Sequence, residues 1–188
     1  FNKGRSKSLK LAEYYDATRT LSKRLTEWSK NLNQEVQKYV ICSGGGPGIM
    51  MAANRGASEA GGKNAAFRIS LPLENTPNPY ISQGLDFEFH YFFTRKFWFS
   101  YLAKALIIMP GGFGTLDEFF EILTLIQTQK IKRRLPIVLF GKKYWNKLIN
   151  FKTLVEFGTI NKKDLDLFFL TSSVDEAYEF VTSRLIQK

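Results

Sequence analysis

The sequence predicts an α/β fold in which a doubly wound parallel sheet carries helices on both faces. Short apolar runs alternate with longer amphipathic stretches along all 188 residues, and strands that alternate with helices usually pair in parallel. Hydrophobic residues make up 44% of the chain and aromatic residues 15%, which is enough apolar surface for a packed core. Because no linker or repeat interrupts the pattern, residues 1–188 are expected to form a single domain.

The N-terminal half contains three helical and three extended segments. Apolar side chains recur every three or four residues from Leu11 to Trp28, which predicts a helix over about residues 9–31 with residues 1–8 as an arm. KYVICS is a buried strand, GGGPG a turn and IMMAANRGASEAG a helix that ends at two glycines. NAAFRISL follows as a strand, then a proline-containing loop, FEFHYF as a short strand or extended arm, and TRKFWFSYLAK as a helix. The aromatic residues around this helix are expected to lie mostly in the core; they are Phe92, Phe93, Phe97, Trp98 and Phe99.

The C-terminal half repeats the alternation. ALIIM is a strand, PGGFGTLDE opens a helix that continues to about Thr128, and LPIVLF is a strand. YWNKLINFKTLVEFG is expected to be one helix, DLDLFFLT contains the last strand, and SVDEAYEFVTSRLIQ is the C-terminal helix. This order is that of a Rossmann-like fold. Since such folds usually begin with a strand, a first strand is expected upstream of Phe1.

The charge of the chain leaves two interpretations open. Lysine and arginine number 27 against 17 acidic residues, which gives a formal net charge of +10. This suits either a lysine-rich soluble surface or an anionic partner. The densest basic run is KIKRR at 130–134, and no recognised nucleic-acid module accompanies it, so nucleic acid is not an expected partner.

Cysteine and histidine are each present once, as Cys42 and His90. A single cysteine can form no internal disulfide, which fits a reducing, cytoplasmic location. One cysteine and one histidine do not suggest a zinc site, and we expect neither a metal nor a cofactor. No apolar run reaches transmembrane length, so no membrane association is expected.

Two glycine-rich turns lie between a strand and a helix, where backbone N–H groups and the helix dipole favour anions. The first contains Gly44, Gly45 and Gly46, and the second contains Gly111, Gly112, Gly114 and the Thr115 hydroxyl. Neither is a Walker A loop, because no Gly-Lys-Ser/Thr follows. Both leave the carboxyl ends of strands, where doubly wound sheets bind ligands. The alternative is a tight turn without a ligand.

Charged residues beside these turns also admit two interpretations. Thr115 and Glu118 match the Ser/Thr-x-x-Glu capping box, with Asp117 favouring the helix dipole, and a catalytic role for Glu118 is an equal alternative. Arg95 and Lys96 stand near the start of a helix. They could be ordinary solvated cations, or one of them could meet an anion, for which Arg offers bidentate contacts.

Three segments, GGGPGIMMAANRGA, TRK and PGGFGTLDEFFEILTLIQT, occur in an order and spacing that closely resemble the lonely guy family. Its members are cytokinin-activating phosphoribohydrolases, long described as lysine decarboxylase-like. LPLENTPNPY, YFFTRKFWF and LPIVLFGKKYW look like the longer bacterial branch. The resemblance implies hydrolysis of the N-glycosidic bond of nucleoside 5′-monophosphates, such as AMP or a cytokinin riboside monophosphate, to free base and ribose 5-phosphate. Residues 1–188 would then be one nucleotide-binding α/β domain.

The resemblance also implies roles for individual residues. Arg95 and Glu118 correspond to the family's essential pair. Residues that would bind substrate are Gly44, Gly45, Gly46, Glu74, Lys96, Gly111, Gly112, Phe113, Gly114, Thr115 and Thr124. Met51 stands where relatives often have Gly or Glu, which leaves the base preference open. Relatives are dimers, so a homodimer is expected.

Other functions remain open at this point. The first alternative is a non-catalytic nucleotide or cofactor carrier of the same fold, which would need the glycine loops but not Glu118. A second is lysine decarboxylation, which normally needs pyridoxal phosphate on a lysine, and no lysine here has a convincing context for it. A third, RNA binding, rests on net charge alone.

Overall fold

Parallel strands alternate with helices throughout the computed structural model, which confirms the predicted α/β class. The structure describes the backbone of residues 2–32, 36–70 and 77–186, and the side chains from residue 11 onward. The chain divides into two compact units, Phe1–Leu102 and Ala103–Lys188. The described strands pair as two three-stranded parallel sheets, one in each unit, where the sequence predicts one sheet. That residues 1–188 act as a single domain stays a prediction.

The first unit contains three strands and three helices. In chain order these are α1 (Asn2–Asn31), β1 (Ile41–Ser43), α2 (Ile49–Glu59), β2 (Asn64–Ile69), β3 (Asp86–Phe89) and α3 (Phe92–Leu102). The strands pair in the order β1-β2-β3, with Ile41 beside Asn64 and Ala66 beside Asp86. FEFHYF therefore contains a strand. The α1 helix begins at Asn2, so it takes in most of the stretch predicted as an arm.

Small residues allow α1 and α2 to pack closely. A Cβ at Gly56 would lie 2.1 Å from the Arg19 carbonyl oxygen of α1, so only glycine fits this crossing. Leu21 and Ala57 are buried at the contact, and the Ser22 hydroxyl donates a 2.5 Å hydrogen bond to the Ala53 carbonyl of α2. These contacts hold α1 against α2, the helix that follows the first glycine turn.

The aromatic residues of α3 are not core residues, so that prediction is wrong. In the described structure none of the eleven residues of α3 is buried, and Phe93 and Phe97 are 70% and 57% exposed. Phe99 contacts the sheet, with its ring centroid 5.0 Å from that of Phe67. The reason is geometric: α3 has apolar side chains on all sides, and one sheet face can cover only one of them.

The second unit is built in the same way. It contains β4 (Leu106–Ile108), α4 (Phe113–Gln127), β5 (Ile137–Phe140), α5 (Lys142–Leu148), α6 (Phe151–Glu156), a 3-10 helix (Lys162–Leu167), β6 (Phe169–Thr171) and α7 (Val174–Ile186). The strands pair in the order β4-β5-β6, all parallel. The single helix predicted from YWNKLINFKTLVEFG is wrong, because the backbone becomes extended at Ile149 (φ −131°, ψ 124°) and separates α5 from α6.

The core of the second unit forms around α4 and the central strand. Phe119 and Trp145 are fully buried, together with Ile137 and Leu139 of β5. The Trp145 indole N–H donates to the Phe140 carbonyl at 2.8 Å, which satisfies the only polar group on a buried ring. Phe119 thus anchors the helix that carries the second glycine motif.

No helix in the described stretches combines the length and the apolar character needed to cross a membrane.

Candidate functional site

The first glycine turn follows the carboxyl end of β1 and leads into α2. Gly45 and Gly48 have φ angles of +75° and +71°, a conformation that residues with a side chain rarely adopt. Gly45 is also crowded, since a Cβ there would lie 2.7 Å from Cγ of Arg68 and 2.9 Å from Cβ of Ala66. Both the backbone angle and the available space therefore demand glycine at position 45.

Both backbone polar groups of Gly45 bond within the protein. Its N–H donates to the Ser43 hydroxyl at 3.0 Å, and its carbonyl accepts from the side-chain amide of Asn78 at 3.3 Å. Because the Gly45 N–H already donates to Ser43, it cannot also donate to a bound anion. Among the three glycines predicted to bind substrate, Gly45 therefore has a structural reason to be glycine, because its backbone groups hold the turn in shape.

The structure brings Arg95 to this first turn. Its Nη1 atom lies 3.6 Å from the position of a Cβ on Gly44, its Nε is buried, and its guanidinium lies 5.5 Å and 5.7 Å from the ring centroids of Phe92 and Phe99. Aromatic faces support a guanidinium while its N–H edge remains directed elsewhere. Lys96, the next residue of α3, is half-buried.

The second glycine turn has one packed glycine and two open ones. A Cβ at Gly111 would lie only 2.1 Å from the Thr115 hydroxyl oxygen, and the Gly111 carbonyl accepts a 2.7 Å hydrogen bond from the Tyr144 hydroxyl. By contrast, a Cβ at Gly112 or Gly114 would meet none of the described atoms within 4 Å. Their φ angles are not positive, so neither packing nor backbone strain explains these two glycines.

The helix start corrects the capping-box hypothesis. The N-cap of α4 is Gly112 and its first helical residue is Phe113, which is 92% exposed. Thr115 is therefore the third helical residue and Glu118 lies in the second turn. Since Thr115 is not the N-cap, the pair does not form the predicted box. Glu118 is half-buried, whereas its neighbour Asp117 is exposed.

The remaining predicted residues have separate outcomes. Thr124 is exposed, and its hydroxyl donates to the Phe120 carbonyl within α4 at 2.8 Å. Glu74 lies outside the described residues. The structure therefore places Gly44 beside Arg95 in the first unit, and Gly111 beside Thr115 in the second.

A buried polar cluster in the first unit was missed by the sequence reasoning. Asn54 of α2 is completely buried and hydrogen-bonds with Ser43, Asn64 and Asn78. The available signal was an asparagine on the apolar face of a helix, a position where an amide is costly unless its hydrogen bonds are made. Ser43 and Asn78 are also the residues that contact Gly45.

The single cysteine is not a candidate nucleophile. Desolvation raises the pKa of the Cys42 thiol to about 12, although the residue is exposed and lies in a strand that was predicted to be buried. A thiol with this pKa stays protonated and unreactive at neutral pH. Within the described ranges, no three His, Cys, Asp or Glu side chains are grouped as a metal ion would require.

Comparison with known sequences gives a family and a set of curated relatives. A family model described as "Possible lysine decarboxylase" matches residues 50–181. The Pyrimidine/purine nucleotide 5′-monophosphate nucleosidase of Escherichia coli strain K12 is 31% identical over an alignment of 115 residues, and the match covers 55% of this chain. Proteins of the same name from strains O6:H1 and O157:H7 match to the same extent. The match spans 24% of the length of these curated relatives.

Comparison with solved structures confirms the Rossmann-like fold. The molybdenum cofactor carrier protein of Chlamydomonas reinhardtii aligns with a TM-score of 0.59 and 17% identity, over 91% of this chain and 89% of that one. The molybdenum cofactor binding protein of Rippkaea orientalis aligns with a TM-score of 0.60 and 19% identity, over 92% and 88% of the two chains. At these identities the likeness concerns the fold alone.

Proposed function

The chain belongs to the "Possible lysine decarboxylase" family, which includes the lonely guy proteins, and on this premise we propose that it hydrolyses nucleoside 5′-monophosphates to free base and ribose 5-phosphate. The observation that carries the proposal is the Arg95 guanidinium beside Gly44 of the first glycine turn. A half-buried cation next to a strand-to-helix glycine turn is an arrangement suited to a phosphate. The similarity to a nucleotide 5′-monophosphate nucleosidase supports the same substrate class.

The second glycine turn is itself suited to binding the substrate. Gly112 and Gly114 leave open space where a side chain would stand, so a ligand can approach their backbone at the positive end of α4. Thr115, packed against Gly111, would add a hydroxyl donor. Binding energy at the phosphate positions the ribose for reaction. Lys96 and Phe113 belong to the same proposed binding set.

Glu118 would act on the sugar. Cleavage of an N-glycosidic bond passes through an oxocarbenium-like ribose, as in glycoside hydrolysis. A carboxylate held by a rigid helix stabilises that positive charge and can orient the attacking water. Phe119, fully buried in the core, fixes the helix at the next residue. The exposed Asp117 is left out of the reaction.

Arg95 would neutralise negative charge on the phosphate or on the departing base. A guanidinium offers five N–H donors in a fixed planar arrangement, so Arg95 would act through its charge and its hydrogen bonds. AMP and cytokinin riboside monophosphates are both candidate substrates. The resemblance also implies that Glu74 and Thr124 are among the residues that bind substrate. It implies that Met51, which is half-buried in α2, lies near the base.

The proposed reaction is tested by incubating the protein with a panel of nucleoside 5′-monophosphates and separating the products by chromatography. We expect stoichiometric free base and ribose 5-phosphate from at least one member, and a loss of about 100-fold or more in kcat/KM for Arg95→Ala. Lys104→Ala, a change at an exposed lysine in the second unit, is the control and should react like the wild type. Full activity of Arg95→Ala would remove Arg95 from the mechanism.

A carrier function is the second candidate, because two solved structures with the same fold are those of a molybdenum cofactor carrier protein and a molybdenum cofactor binding protein. A carrier would bind a phosphate-bearing ligand through the glycine turns and would not need Glu118. Tight binding of the nucleotide panel without any released base would favour this function. Lysine decarboxylation would instead require the absorbance of a lysine-bound pyridoxal phosphate and release of carbon dioxide from lysine.

We also propose that the protein acts as a cytoplasmic homodimer that associates through α3. This helix exposes Phe92, Phe93, Phe97 and Tyr101 at its surface, each with more than half of its area accessible. Exposed apolar patches of this kind are typical of protein interfaces, and the resemblance to dimeric relatives supports a second copy of this chain as the partner.

A further inference from the structure

A buried amide in the middle of α2 has all of its hydrogen bonds made. The Asn54 side-chain N–H groups donate to Asn64 Oδ1 at 2.8 Å and to the Ala65 carbonyl at 3.0 Å. Its Oδ1 accepts from the Ser43 hydroxyl at 2.6 Å and from Asn78 Nδ2 at 3.0 Å. Two donors and two lone pairs are the full capacity of an asparagine amide, so this side chain has a single arrangement.

Ser43 transmits this arrangement to the glycine turn. Its single hydroxyl proton is committed to Asn54 Oδ1, which leaves an oxygen lone pair for the Gly45 N–H, bound at 3.0 Å. The three groups form one directed series in which Gly45 donates to Ser43 and Ser43 donates to Asn54. Such a series orients each member more firmly than an isolated bond would.

Asn78 holds the other side of the same glycine. Its amide donates both to the Gly45 carbonyl at 3.3 Å and to Asn54 Oδ1 at 3.0 Å, while its own oxygen accepts from the Tyr80 N–H at 3.2 Å. Asn54 is therefore linked to the Gly45 N–H through Ser43 and to the Gly45 carbonyl through Asn78. The cluster also bonds to the backbone at Ala65 and Tyr80, so it ties the turn to β2 and to the loop that contains Asn78.

We infer that Asn54 is a positioning residue for the first glycine turn. Acting through Ser43 and Asn78, it fixes Gly45 in its left-handed conformation and so sets the direction of the Gly44 and Gly46 amides. That these amides receive a substrate phosphate rests on the proposed function. The inference itself concerns what holds the turn, and all of its contacts lie within the first unit.

The test compares two buried serines of the same unit. Ser43→Ala removes the link between Gly45 and Asn54, and Ser22→Ala is the matched control, since Ser22 is 4% exposed and bonds to α2 away from the turn. Asn78→Ala, at a half-buried loop position, is a second variant that removes the other link even if Ser43→Ala does not fold. Three quantities are measured: melting temperature, amide hydrogen exchange of the segment 42–50, and KM and kcat for AMP.

We expect Ser43→Ala and Ser22→Ala to lower the melting temperature similarly, but only Ser43→Ala and Asn78→Ala to speed exchange in segment 42–50. Ser43→Ala and Asn78→Ala should each raise KM about tenfold with a smaller change in kcat, because they make the phosphate-binding turn less rigid and leave the reacting groups in place. Unchanged exchange in both variants would overturn the inference. Faster exchange with an unchanged KM would support the inference and would instead contradict the proposed binding of the substrate phosphate at this turn. If the wild type neither binds nor cleaves AMP, the proposed substrate fails, and the exchange measurement alone decides whether Asn54 holds the turn through its links to Ser43 and Asn78.

Discussion

Glycines 111, 112 and 114 are close neighbours in the sequence and have different physical reasons to be glycine. Gly111 is required by the protein itself, because the Thr115 side chain occupies the place of its Cβ. Gly112 and Gly114 have open space at that place and no positive φ. These two glycines are therefore the ones at which the proposed ligand can approach the backbone most closely.

Replacing Gly114 with alanine should therefore separate stability from function. Alanine in the first turn of α4 is a better helix former, so Gly114→Ala should raise the free energy of unfolding by about 0.5–1 kcal/mol. The added methyl group should nevertheless weaken AMP binding and raise KM. Urea denaturation and steady-state kinetics measure the two effects. An unchanged KM in the stabilised variant would contradict a ligand at this position.

The sequence could identify these residues but not their positions relative to the helix start. Ser/Thr-x-x-Glu occurs at Thr115 and again at Ser173, and the two cases differ. Ser173 does receive the Glu176 N–H at 3.3 Å, whereas Thr115 stands inside α4 because Gly112 takes the extended conformation of the N-cap. The side-chain pattern is the same, and the backbone conformation of the preceding glycines decides between the two outcomes.

At the scale of elements, alternation of apolar and amphipathic runs predicted five of the six described strands and most helices, and left β3 open as a strand or an extended arm. The misses have local causes. The predicted helix over YWNKLINFKTLVEFG breaks at Ile149, which is extended, although its apolar periodicity continues across the break. The exposure of α3 could not be predicted either, because the number of faces a helix buries depends on its neighbours rather than on its own composition.

The ion pairs between α1 and α2 should make the free energy of unfolding depend on pH. The Arg19 guanidinium, 2.7 Å from Glu59, and that of Arg55, at 2.9 Å, hold the pKa of the Glu59 carboxyl below its usual value. A lowered pKa means that the carboxylate stabilises the fold above its unfolded-state pKa and loses this contribution as the pH falls through the folded-state value.

Glu59→Gln should therefore be less stable than the wild type at neutral pH, and the difference should disappear in acid. Urea unfolding of both proteins over roughly pH 3 to 7 measures this. Glu156→Gln, which changes an exposed acid in α6, serves as the control and should show a smaller dependence. A gap between wild type and Glu59→Gln that widens toward low pH would contradict the assignment of these ion pairs.

At the scale of the whole molecule, the family and the fold are known and the assembly is a proposal. The formal charge of +10 keeps copies apart at low salt, so association must come from apolar surface. The exposed aromatic residues of α3 provide such a surface, with Phe93 the most accessible of them.

Light scattering after size-exclusion chromatography should show a dimer for the wild type and a monomer for Phe93→Glu combined with Phe97→Glu. Phe157→Glu, at an 80% exposed aromatic residue of the second unit, is the matched control and should stay dimeric. A dimer that survives the double change in α3 would place the interface elsewhere.

The central claim is that Glu118 serves the glycosidic bond, and release of base from a nucleoside 5′-monophosphate by Glu118→Gln tests it most directly. Glutamine keeps the size of the side chain and removes its charge, while Asp117→Asn makes the same change at the exposed neighbour. The account predicts a kcat lower by about 100-fold or more for Glu118→Gln, retained nucleotide binding, and near wild-type turnover for Asp117→Asn. Equal activities of the wild type and Glu118→Gln would contradict the account.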